Sequence, residues 1–535
     1  MRSSVFTLRL IKALIHDRSS AWQALRTKLA RATQKPVAAP FHRTQNDGMH
    51  NKNLLSLLTL ICTLPTVCLA DPWVIESQKD WKAATGKAQQ IKIENGFIEP
   101  QSGKGKFESI VKSFPQKRKL NSIVFEQSPV WDNWEQIDDI TPPGMGNALV
   151  ILPVAPGDYY VFGTFKGPEI PYPEGLNRKE RAAFKKEYAK KNPAAAAPKG
   201  EKGYHAWHST DLKNWKHLGS VCWSNWMTTA EYADGKFYLY FDEPNDQDPH
   251  LIIDDDLTDG KPGKEYGRVF NDPSHGSDAG VIRDEDGTFH IIYEDWNPIN
   301  ARENAWDSPL AGRVSSPDGI TGFEYGEHPP AVDHRTKPTG KKGTYTHSSM
   351  ERSNNGQPLE YEIHEPDQDA YGDWTAIKVG KYYHLFCDYD PADHSKSMRM
   401  GRFHSDSLDK EFTWSGEIGE GFHPDPSVGF AEGKFYAIMQ RGSDFVSPGP
   451  WVEGVEARAG VDTDGDGSID QWTDWQPVNE SYSQKPGFAR IVEVEPATLD
   501  TSNLPAGTGF QFQFRTTLLP NGVQPIMDRV ELVFD

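Results

Sequence analysis

A β-hairpin pattern that occurs five times limits the fold of this chain more than any other feature of its sequence. In each copy a turn glycine is followed by alternating aromatic and aliphatic residues, which is typical of the second strand of a hairpin. An apolar strand precedes each turn, and the turn glycines are 52 to 93 residues apart. The five copies are APGDYYVFGT (155–164), ADGKFYLYFD (233–242), EDGTFHIIYE (285–294), VGKYYHLFCD (379–388) and AEGKFYAIMQ (431–440).

Five similar antiparallel sheets that close on themselves form a β-propeller. The sequence therefore predicts an all-β protein with a five-bladed β-propeller, and the alternative is a β-sandwich or another all-β domain. We expect an N-terminal β segment at 71–118, the propeller at 119–445 and a small C-terminal β-sandwich-like module at 446–535.

The start of the chain has the pattern of a secretory signal peptide. Residues 49–70, MHNKNLLSLLTLICTLPTVCLA, have a short polar start, an apolar run and small residues that end at Ala70. The apolar run is too short for a transmembrane helix, so a secreted or periplasmic protein is expected. The basic residues 1–48 are either a long leader extension or lie upstream of a mis-assigned start.

Charge and cysteine content restrict the partners of the exported part. Residues 71–535 carry 47 basic and 74 acidic side chains, a net charge of −27. Such an acidic protein is not expected to bind nucleic acid or an anionic membrane through its overall field. The remaining cysteines, Cys222 and Cys387, either form one disulfide or stay as buried thiols.

In a propeller, the first residues of the innermost strands surround the central axis. Side chains from distant parts of the chain therefore converge on one axial pocket there. Three carboxylates in one pocket raise one another's pKa values and suit acid–base chemistry. The ordinary alternative is that each aspartate bonds backbone amides at the start of a strand. The strand-start residues are Asn147, Thr229, Asp278, Asp373 and Asp425.

Three segments resemble the five-bladed propeller glycosidases, namely glycoside hydrolase family 43 and its relatives, families 32 and 117. They are SDAGVIRDEDGTFHIIYE (277–294), HSTDLKNWKHLG (208–219) and HPDPSVGFAEGKFYAI (423–438). The resemblance covers about residues 119–445. It implies a secreted glycoside hydrolase that acts on an oligo- or polysaccharide of plant or algal cell-wall type with paired carboxylates. It also implies that Asp278 orients the catalytic acid and tunes its pKa.

Two positions depart from the pattern of family 43. Asn147 stands where that family has its general base, and an amide cannot accept a proton from water. Tyr371 stands where the family has its acidic glutamate. We expect Asp373 or Glu365 to replace the acid.

The missing base is expected from Asp132 or Asp425. Asp132 is the nearest upstream carboxylate, and it lies between Trp131 and Trp134, which we expect to stack against a sugar. For each of these aspartates the alternative is a structural role in a turn or at the start of a strand.

Histidines and basic loops provide further candidate substrate contacts. His275 and His423 lie close to Asp278 and Asp425 in the sequence, and His347 lies in a long insertion. Each is expected to bind substrate, ligate a metal or supply a proton, unless it is only a hydrogen-bond partner. Arg335, with Lys337, Lys341 and Lys342, is expected to meet sulfate or uronate groups, unless the loop is only a solvated surface. A second basic stretch, NRKERAAFKKEYAKK (177–191), predicts a short amphipathic helix.

The sequence DTDGDGSIDQWTDW (462–475) predicts a calcium loop. Its spacing of oxygen ligands is that of the Asp-x-Asp-x-Asp-Gly motif, although Thr473 stands where an EF-hand has glutamate, and Asp474 is a possible substitute. We expect structural calcium and no organic cofactor; the alternative is an acidic linker. The expected ligands are Asp462, Asp464, Asp466 and Asp470.

Two other functional classes stay open from the sequence alone. A polysaccharide lyase would use Tyr345 or His347 as a base and Arg335 to neutralise a uronate. A glycan-binding propeller without catalysis would explain the missing base at Asn147.

Overall fold

The computed structural model describes residues 72–101, 104–142, 144–165, 170–192, 203–224, 226–243, 248–259, 261–272, 276–296, 307–345, 359–364, 369–392, 399–421, 423–517 and 523–535. The expected leader and signal peptide, together with His275, His347 and Glu365, lie outside these residues. Among the helices that are described, none has the length and the apolar composition to cross a membrane.

Within the described residues, nine elements precede the first propeller sheet, one helix and eight strands. They are β1 (Trp73–Ile75), α1 (Gln78–Ala84), β2 (Thr85–Gln89), β3 (Ile91–Glu94), β4 (Phe97–Pro100), β5 (Lys106–Ser109), β6 (Lys112–Arg118), β7 (Leu120–Gln127) and β8 (Glu135–Ile137).

Five four-stranded antiparallel sheets then follow one another as the blades of a propeller. The first blade consists of β9 (Met145–Ala155), β10 (Asp158–Phe165), β11 (Tyr204–Ser209) and β12 (Lys216–Cys222), with helix α2 (Arg178–Lys191) inserted after β10. The second consists of β13 (Met227–Ala233), β14 (Lys236–Asp242), β15 (Pro249–Asp254) and β16 (Lys264–Arg268). The third consists of β17 (Gly276–Arg283), β18 (Phe289–Asp295), β19 (Leu310–Ser316) and β20 (Val332–Asp333), and the hairpin of β21 (Pro338–Tyr345) and β22 (Leu359–His364) follows it.

The ring is closed by a strand from the beginning of the chain. The fourth blade consists of β23 (Ala370–Val379), β24 (Tyr382–Asp390), β25 (Arg399–Ser405) and β26 (Thr413–Ile418). The fifth contains β27 (Ser427–Ala431), β28 (Lys434–Ile438) and β29 (Asp444–Ser447), and β8 completes it by pairing Ile137 with Asp444. The expected five-bladed β-propeller is therefore confirmed.

Hydroxyl groups join neighbouring blades close to the axis. Thr229 Oγ1 accepts the Val281 amide at 3.3 Å, and Ser427 Oγ accepts the Ile151 amide at 3.1 Å. Each bond satisfies a buried backbone amide in the next blade that no ladder partner reaches. Apolar side chains fill the remaining space between blades, and Cys222 and Cys387 are free thiols buried in these clusters.

The strands after the propeller are β30 (Val455–Asp462), β31 (Gln471–Trp472), β32 (Gln476–Pro477), β33 (Ser481–Gln484), β34 (Ile491–Glu495), β35 (Ala497–Asp500), β36 (Gly507–Thr516) and β37 (Met527–Phe534). β33 and β34 extend the sheet of the fourth blade, and the others build a β-sandwich with strands from the start of the chain. One sheet has the order β3-β4-β37-β7-β35, and the other has the order β2-β5-β36-β30-β31. Phe125 and Leu532 of the first sheet meet Phe107, Phe512 and Phe514 of the second in a buried core. Strand β7, within the range expected for the propeller, therefore belongs to the sandwich.

One segment of this module crosses the propeller, and we call Ser481–Glu495 the base segment. Its strand β34 runs parallel to β23 of the fourth blade. The guanidinium of Arg490, which is 2% exposed, donates to the carbonyl oxygens of Ala230 in the second blade at 3.0 Å and Val428 in the fifth at 3.3 Å. It also lies 4.0 Å from the Glu231 carboxylate. Arg490 therefore lies on the propeller axis, beyond the strand starts in the direction of the strands.

Candidate active site

Four strand-start residues share a left-handed backbone conformation. The φ angles are 61° at Asn147, 50° at Asp278, 50° at Asp373 and 54° at Asp425. Among residues with a side chain, asparagine and aspartate tolerate this region best. The sequence therefore places at these positions residue types that the backbone accepts.

Two of these residues, Asp278 and Asp373, lie in β-bulges at the axial ends of their strands. In the third blade Ser277 pairs with Glu294 and Gly280 with Ile292, so two residues, Asp278 and Ala279, oppose one. The fourth blade repeats this pattern at Asp373. A bulge redirects a side chain out of the regular pleat, which turns these carboxylates away from the inter-blade cores.

In the second blade the bulge lies one residue before Thr229, the predicted strand-start residue. Met227 pairs with Phe241 and Thr229 with Tyr240, so Thr228 is the extra residue. The hydroxyl of Thr229 instead bonds the Val281 amide. Thr229 is therefore an inter-blade contact and not a pocket residue.

Three carboxylates from two blades form a close group, which we call the acidic triad (Asp373, Asp388 and Asp425). One oxygen of each residue lies within 4.8 Å of an oxygen of the other two. Asp373 and Asp425 come from strand starts, and Asp388 comes from β24 and accepts the Asp425 amide at 2.6 Å. Asp388 and Asp425 are buried, whereas Asp373 is half-buried and is therefore the member that a ligand can reach.

Asp278 lies beside this triad and has its own partners. Its carboxylate accepts a hydrogen bond of 2.6 Å from the indole nitrogen of Trp226, and its amide donates to Asp242 at 3.2 Å. Trp226 is half-buried in the connection from β12 to β13, and Trp223 of the same connection is 44% exposed. An aromatic edge and a carboxylate at one pocket are the groups that sugar binding uses.

The pKa values of the acidic triad are raised together. Burial, and after it the charges of Asp425, Asp278 and Asp388, raise the pKa of Asp373 well above its usual range. Burial and the charge of Asp425 do the same for the pKa of Asp388. Burial raises the pKa of Asp425 to about 6, against hydrogen bonds from Asp373 and Asp388 and the positive charge of Arg441, which lower it. Each member of the acidic triad therefore has a pKa above that of an ordinary aspartate.

Several acids of the pocket are not among the sequence-predicted residues. Asp242, Glu294 and Asp388 are each at most 1% exposed and lie at the axial ends of the second strands. The signal for them was present in the sequence, because each is the last residue of one of the repeated hairpin copies. The repeat therefore contains two polar positions per blade, one at each axial strand end.

The expectation that Trp131 and Trp134 stack against a sugar is wrong for Trp131. Its ring is fully buried, its indole nitrogen donates to Ser447 Oγ at 2.7 Å, and Phe435 packs edge-on at 4.6 Å. Trp134 is half-buried and packs against Trp131 at 4.8 Å. The two rings fill the interface of the fourth and fifth blades, because they directly precede β8, which is a strand of the fifth blade.

Asp132 does not line the axial pocket. Its carboxylate forms an ion pair with Arg402 of β25 and is about half exposed. An acid held at an outer strand cannot activate a water molecule in the axial pocket, so the structure does not support Asp132 as the base.

The other expected substrate contacts have structural partners of their own. The Nδ1 of His423 donates to the Glu420 carbonyl at 2.7 Å, and its ring packs against Phe445. Arg335 makes two hydrogen bonds with Asp333, at 2.8 and 2.5 Å. Neither observation assigns these side chains to substrate.

The predicted calcium loop brings three of its four carboxylates together. Oxygens of Asp462, Asp464 and Asp470 lie within 4.8 Å of one another, and Asp466 is not part of this group. The hydroxyl of Thr473 accepts the Ala459 amide at 3.1 Å, so Thr473 does not take the place of the EF-hand glutamate. The described loop thus offers a three-carboxylate ligand set.

The fold and the site define a class: a five-bladed β-propeller in which carboxylates from several blades gather at the axial ends of the strands. No protein-family model matches the chain, and no curated protein matches it. Solved structures of family-43 glycoside hydrolases do match, over about three fifths of the chain.

Three of these structures illustrate the match. An α-L-arabinofuranosidase from Clostridium thermocellum has 14% identity and a TM-score of 0.34, with 61% of this chain and 93% of that chain covered. An endo-arabinase from Bacteroides thetaiotaomicron has 11% identity and a TM-score of 0.36, with 59% and 97% covered. A family-43 enzyme from Xanthomonas citri has 14% identity and a TM-score of 0.33, with 63% and 93% covered. These values are low, so the propeller assignment rests on the five sheets themselves.

Proposed function

We propose that this protein is an exported glycoside hydrolase that cleaves a glycosidic bond in the axial pocket. The observation that carries the proposal is the acidic triad, in which half-buried Asp373 lies beside other carboxylates and has a raised pKa. Glycoside hydrolysis needs a carboxylic acid to protonate the leaving oxygen and a second carboxylate to attack or to activate water. The signal-like residues 49–70 support action outside the cytoplasm.

Asp373 is the proposed proton donor. A carboxyl group that stays protonated near neutral pH is the form required of a general acid. Asp425 and Asp388 act through Asp373, because negative charge on these neighbours raises the pKa of Asp373. The short oxygen separations in the acidic triad, at most 4.8 Å, leave no space for a sugar between these groups. They therefore work as one proton-sharing unit and not as the two opposing carboxylates.

Asp278 is the proposed second carboxylate. It comes from a different blade than Asp373, and its charge raises the pKa of Asp373. The Trp226 N–H donates to Asp278 Oδ1 at 2.6 Å, and an N–H donor stabilises the negative charge of a carboxylate. Asp278 thus replaces Asp132 in the role of nucleophile or base.

The charge of the pocket restricts the sugar that reacts there. Six acids, Asp242, Asp278, Glu294, Asp373, Asp388 and Asp425, lie at the axial strand ends. A sulfate or uronate on the reacting sugar would be repelled by these groups. We therefore propose a neutral sugar at the bond that is cleaved.

The test compares three variants on a panel of neutral aryl glycosides and cell-wall polysaccharides. Asp373→Asn and Asp278→Asn should each reduce kcat/KM by about 10²- to 10⁴-fold, because each removes one acid–base partner. Asp132→Asn is the matched control and should keep most of the activity. Unchanged thermal unfolding of all three variants excludes misfolding as the cause.

Other outcomes would replace the proposal with another class. New ultraviolet absorbance from an unsaturated uronate, without hydrolysis, would identify a lyase. Glycan binding without turnover by the wild-type protein would identify a binding propeller. Full activity of Asp373→Asn would contradict the assigned proton donor.

We also propose that the loop 462–470 binds structural calcium through Asp462, Asp464 and Asp470. Three carboxylates with Gly465 and Gly467 at positive φ suit the irregular oxygen coordination of calcium. Chelation of calcium should lower the midpoint of thermal unfolding, and added calcium should restore it. Asp464→Asn should abolish this response, whereas Asp466→Asn should largely keep it. A midpoint that does not respond to calcium in the wild-type protein would contradict the proposal.

A further inference from the structure

Helix α2 carries a local charge opposite to that of the protein. Its fourteen residues contain seven cationic side chains and two acids, whereas residues 71–535 together have a net charge of −27. The helix has no buried residue, so packing against the propeller does not explain its composition.

Six of the seven cations are arranged on one side of the helix, and Lys191 is the exception. At 3.6 residues per turn, Arg178, Arg181 and Lys185 form one row and Lys179, Lys186 and Lys190 form a second row beside it. The small side chains of Ala182 and Ala189 lie between the rows. Glu180 and Glu187 lie outside the two rows, and Glu187 pairs with Lys190 of the second row at 2.6 Å. We call the two rows with the alanines between them the cationic face.

This arrangement is unfavourable for the helix by itself. Arg181 and Lys185, and likewise Lys186 and Lys190, are like-charged pairs four residues apart, which destabilise a helix. The helix is instead held by its ends: Asn177 forms a capping box with Glu180, and Lys190 and Lys191 complement the last turn. A bound polyanion would relieve the repulsion on the cationic face.

The insertion that contains α2 is attached at the pocket end of the propeller. The chain leaves the first blade after Phe165, which pairs with Met145, and returns at Tyr204, which pairs with Thr164. Met145 begins the innermost strand β9, two residues before Asn147. The insertion therefore leaves and rejoins the first blade at the end where the strand starts lie.

We propose that the cationic face of α2 binds an anionic polysaccharide, with sulfate or carboxylate groups as the recognised chemistry. An extended chain of repeated charges matches two parallel rows of cations along a helix. A membrane fits less well, because Phe184 and Tyr188 are the only large apolar side chains of the helix and Phe184 packs against Tyr172 instead of facing outward. As a statement about the substrate, this proposal rests on the proposed hydrolase function. A neutral sugar then reacts in the pocket, and charged units of the same glycan are held outside it.

The test measures binding of the full chain to dextran sulfate, polygalacturonate, neutral dextran and phosphatidylserine vesicles. The variant Lys179→Gln/Lys185→Gln/Lys186→Gln removes three exposed cations, none of which forms an ion pair with a described residue. The control Lys213→Gln/Lys216→Gln/Lys236→Gln makes the same change of net charge at exposed sites of the first two blades. Glutamine is a good helix former, so the helix itself should persist in the first variant.

We expect the α2 variant to bind the anionic glycans about tenfold more weakly, since each exposed contact contributes modestly, while the control binds like wild type. Added salt should weaken wild-type binding. A preference for dextran sulfate or for polygalacturonate would identify the recognised anion. Equal loss in both variants, binding to neutral dextran, or binding to vesicles alone would overturn the proposal. Hydrolysis of a small neutral glycoside should be the same in both variants, so this activity reports separately on the catalytic proposal.

Discussion

At four of the five strand starts the backbone has a positive φ, and each of these positions is occupied by asparagine or aspartate. Backbone tolerance alone therefore explains the residue types. It does not explain the charge, because Asn147 shows that an amide meets the same requirement. Uncharged asparagine would satisfy the backbone equally well at Asp278, Asp373 and Asp425. The presence of carboxylates at these positions therefore supports acid–base chemistry in the pocket.

The excess charge should reduce the stability of the protein at neutral pH. Asp425 has a pKa of about 6 in the fold, above its value of 3.8 without burial. A carboxyl with a raised pKa binds its proton more tightly when folded, so its stabilising contribution is present below pH 3.8 and is lost as the pH rises through about 6. The thermal stability of Asp425→Asn relative to wild type should therefore be greater at about pH 8 than at about pH 4. Thermal melts of both proteins test this, and an equal difference at both pH values would contradict it.

At the scale of the elements, the hairpins were predictable because their signals are local. A turn glycine with positive φ, such as Gly235 or Gly433, and an alternating strand lie within ten residues of each other. The position of Trp131 depends instead on β8, which completes the fifth blade by pairing with residues about 300 positions away. No local pattern encodes that contact, so an exposed aromatic pair and a buried one look the same in the sequence.

Two adjacent threonines separate the effect of an inter-blade hydrogen bond from that of the side chain. Thr229→Val leaves the buried Val281 amide without its acceptor and should reduce the free energy of unfolding by about 1–3 kcal/mol. Thr228→Val removes a buried hydroxyl that has no hydrogen-bond partner among the described residues, and should be neutral or stabilising. Denaturant titrations of both variants measure the difference. Equal losses would show that the inter-blade bond contributes nothing specific.

At the scale of the whole molecule, the sandwich and the propeller are connected through the base segment. Gln484 donates to the Pro153 carbonyl of the first blade at 2.8 Å, and Lys485 pairs with Glu285 of the third at 2.7 Å. With the contacts of Arg490 to the second and fifth blades and the pairing of β34 with the fourth, one segment touches all five blades. The sequence predicted a C-terminal module but not this crossing, because its key residue is a single arginine among charged loop residues.

Arg490 is the point at which this connection should be most sensitive. Arg490→Met leaves the buried Glu231 carboxylate without its cation, which should reduce the free energy of unfolding by about 3–5 kcal/mol. Adding Glu231→Gln should recover part of this loss, because the uncompensated charge is then removed. Urea denaturation of the single and double variants provides the comparison. A double variant no more stable than Arg490→Met would indicate that the loss comes from the carbonyl contacts alone.

The location of Arg490 has a consequence for traffic through the propeller. The guanidinium of Arg490 lies among three central strands and blocks the axial channel. The axial pocket is therefore open at one end only. A molecule that leaves the pocket must use the same opening by which the next molecule enters. A polymer cannot pass through the propeller from one side to the other. Under the proposed hydrolysis, products leave through the opening by which substrate enters, so accumulated short products should slow the reaction.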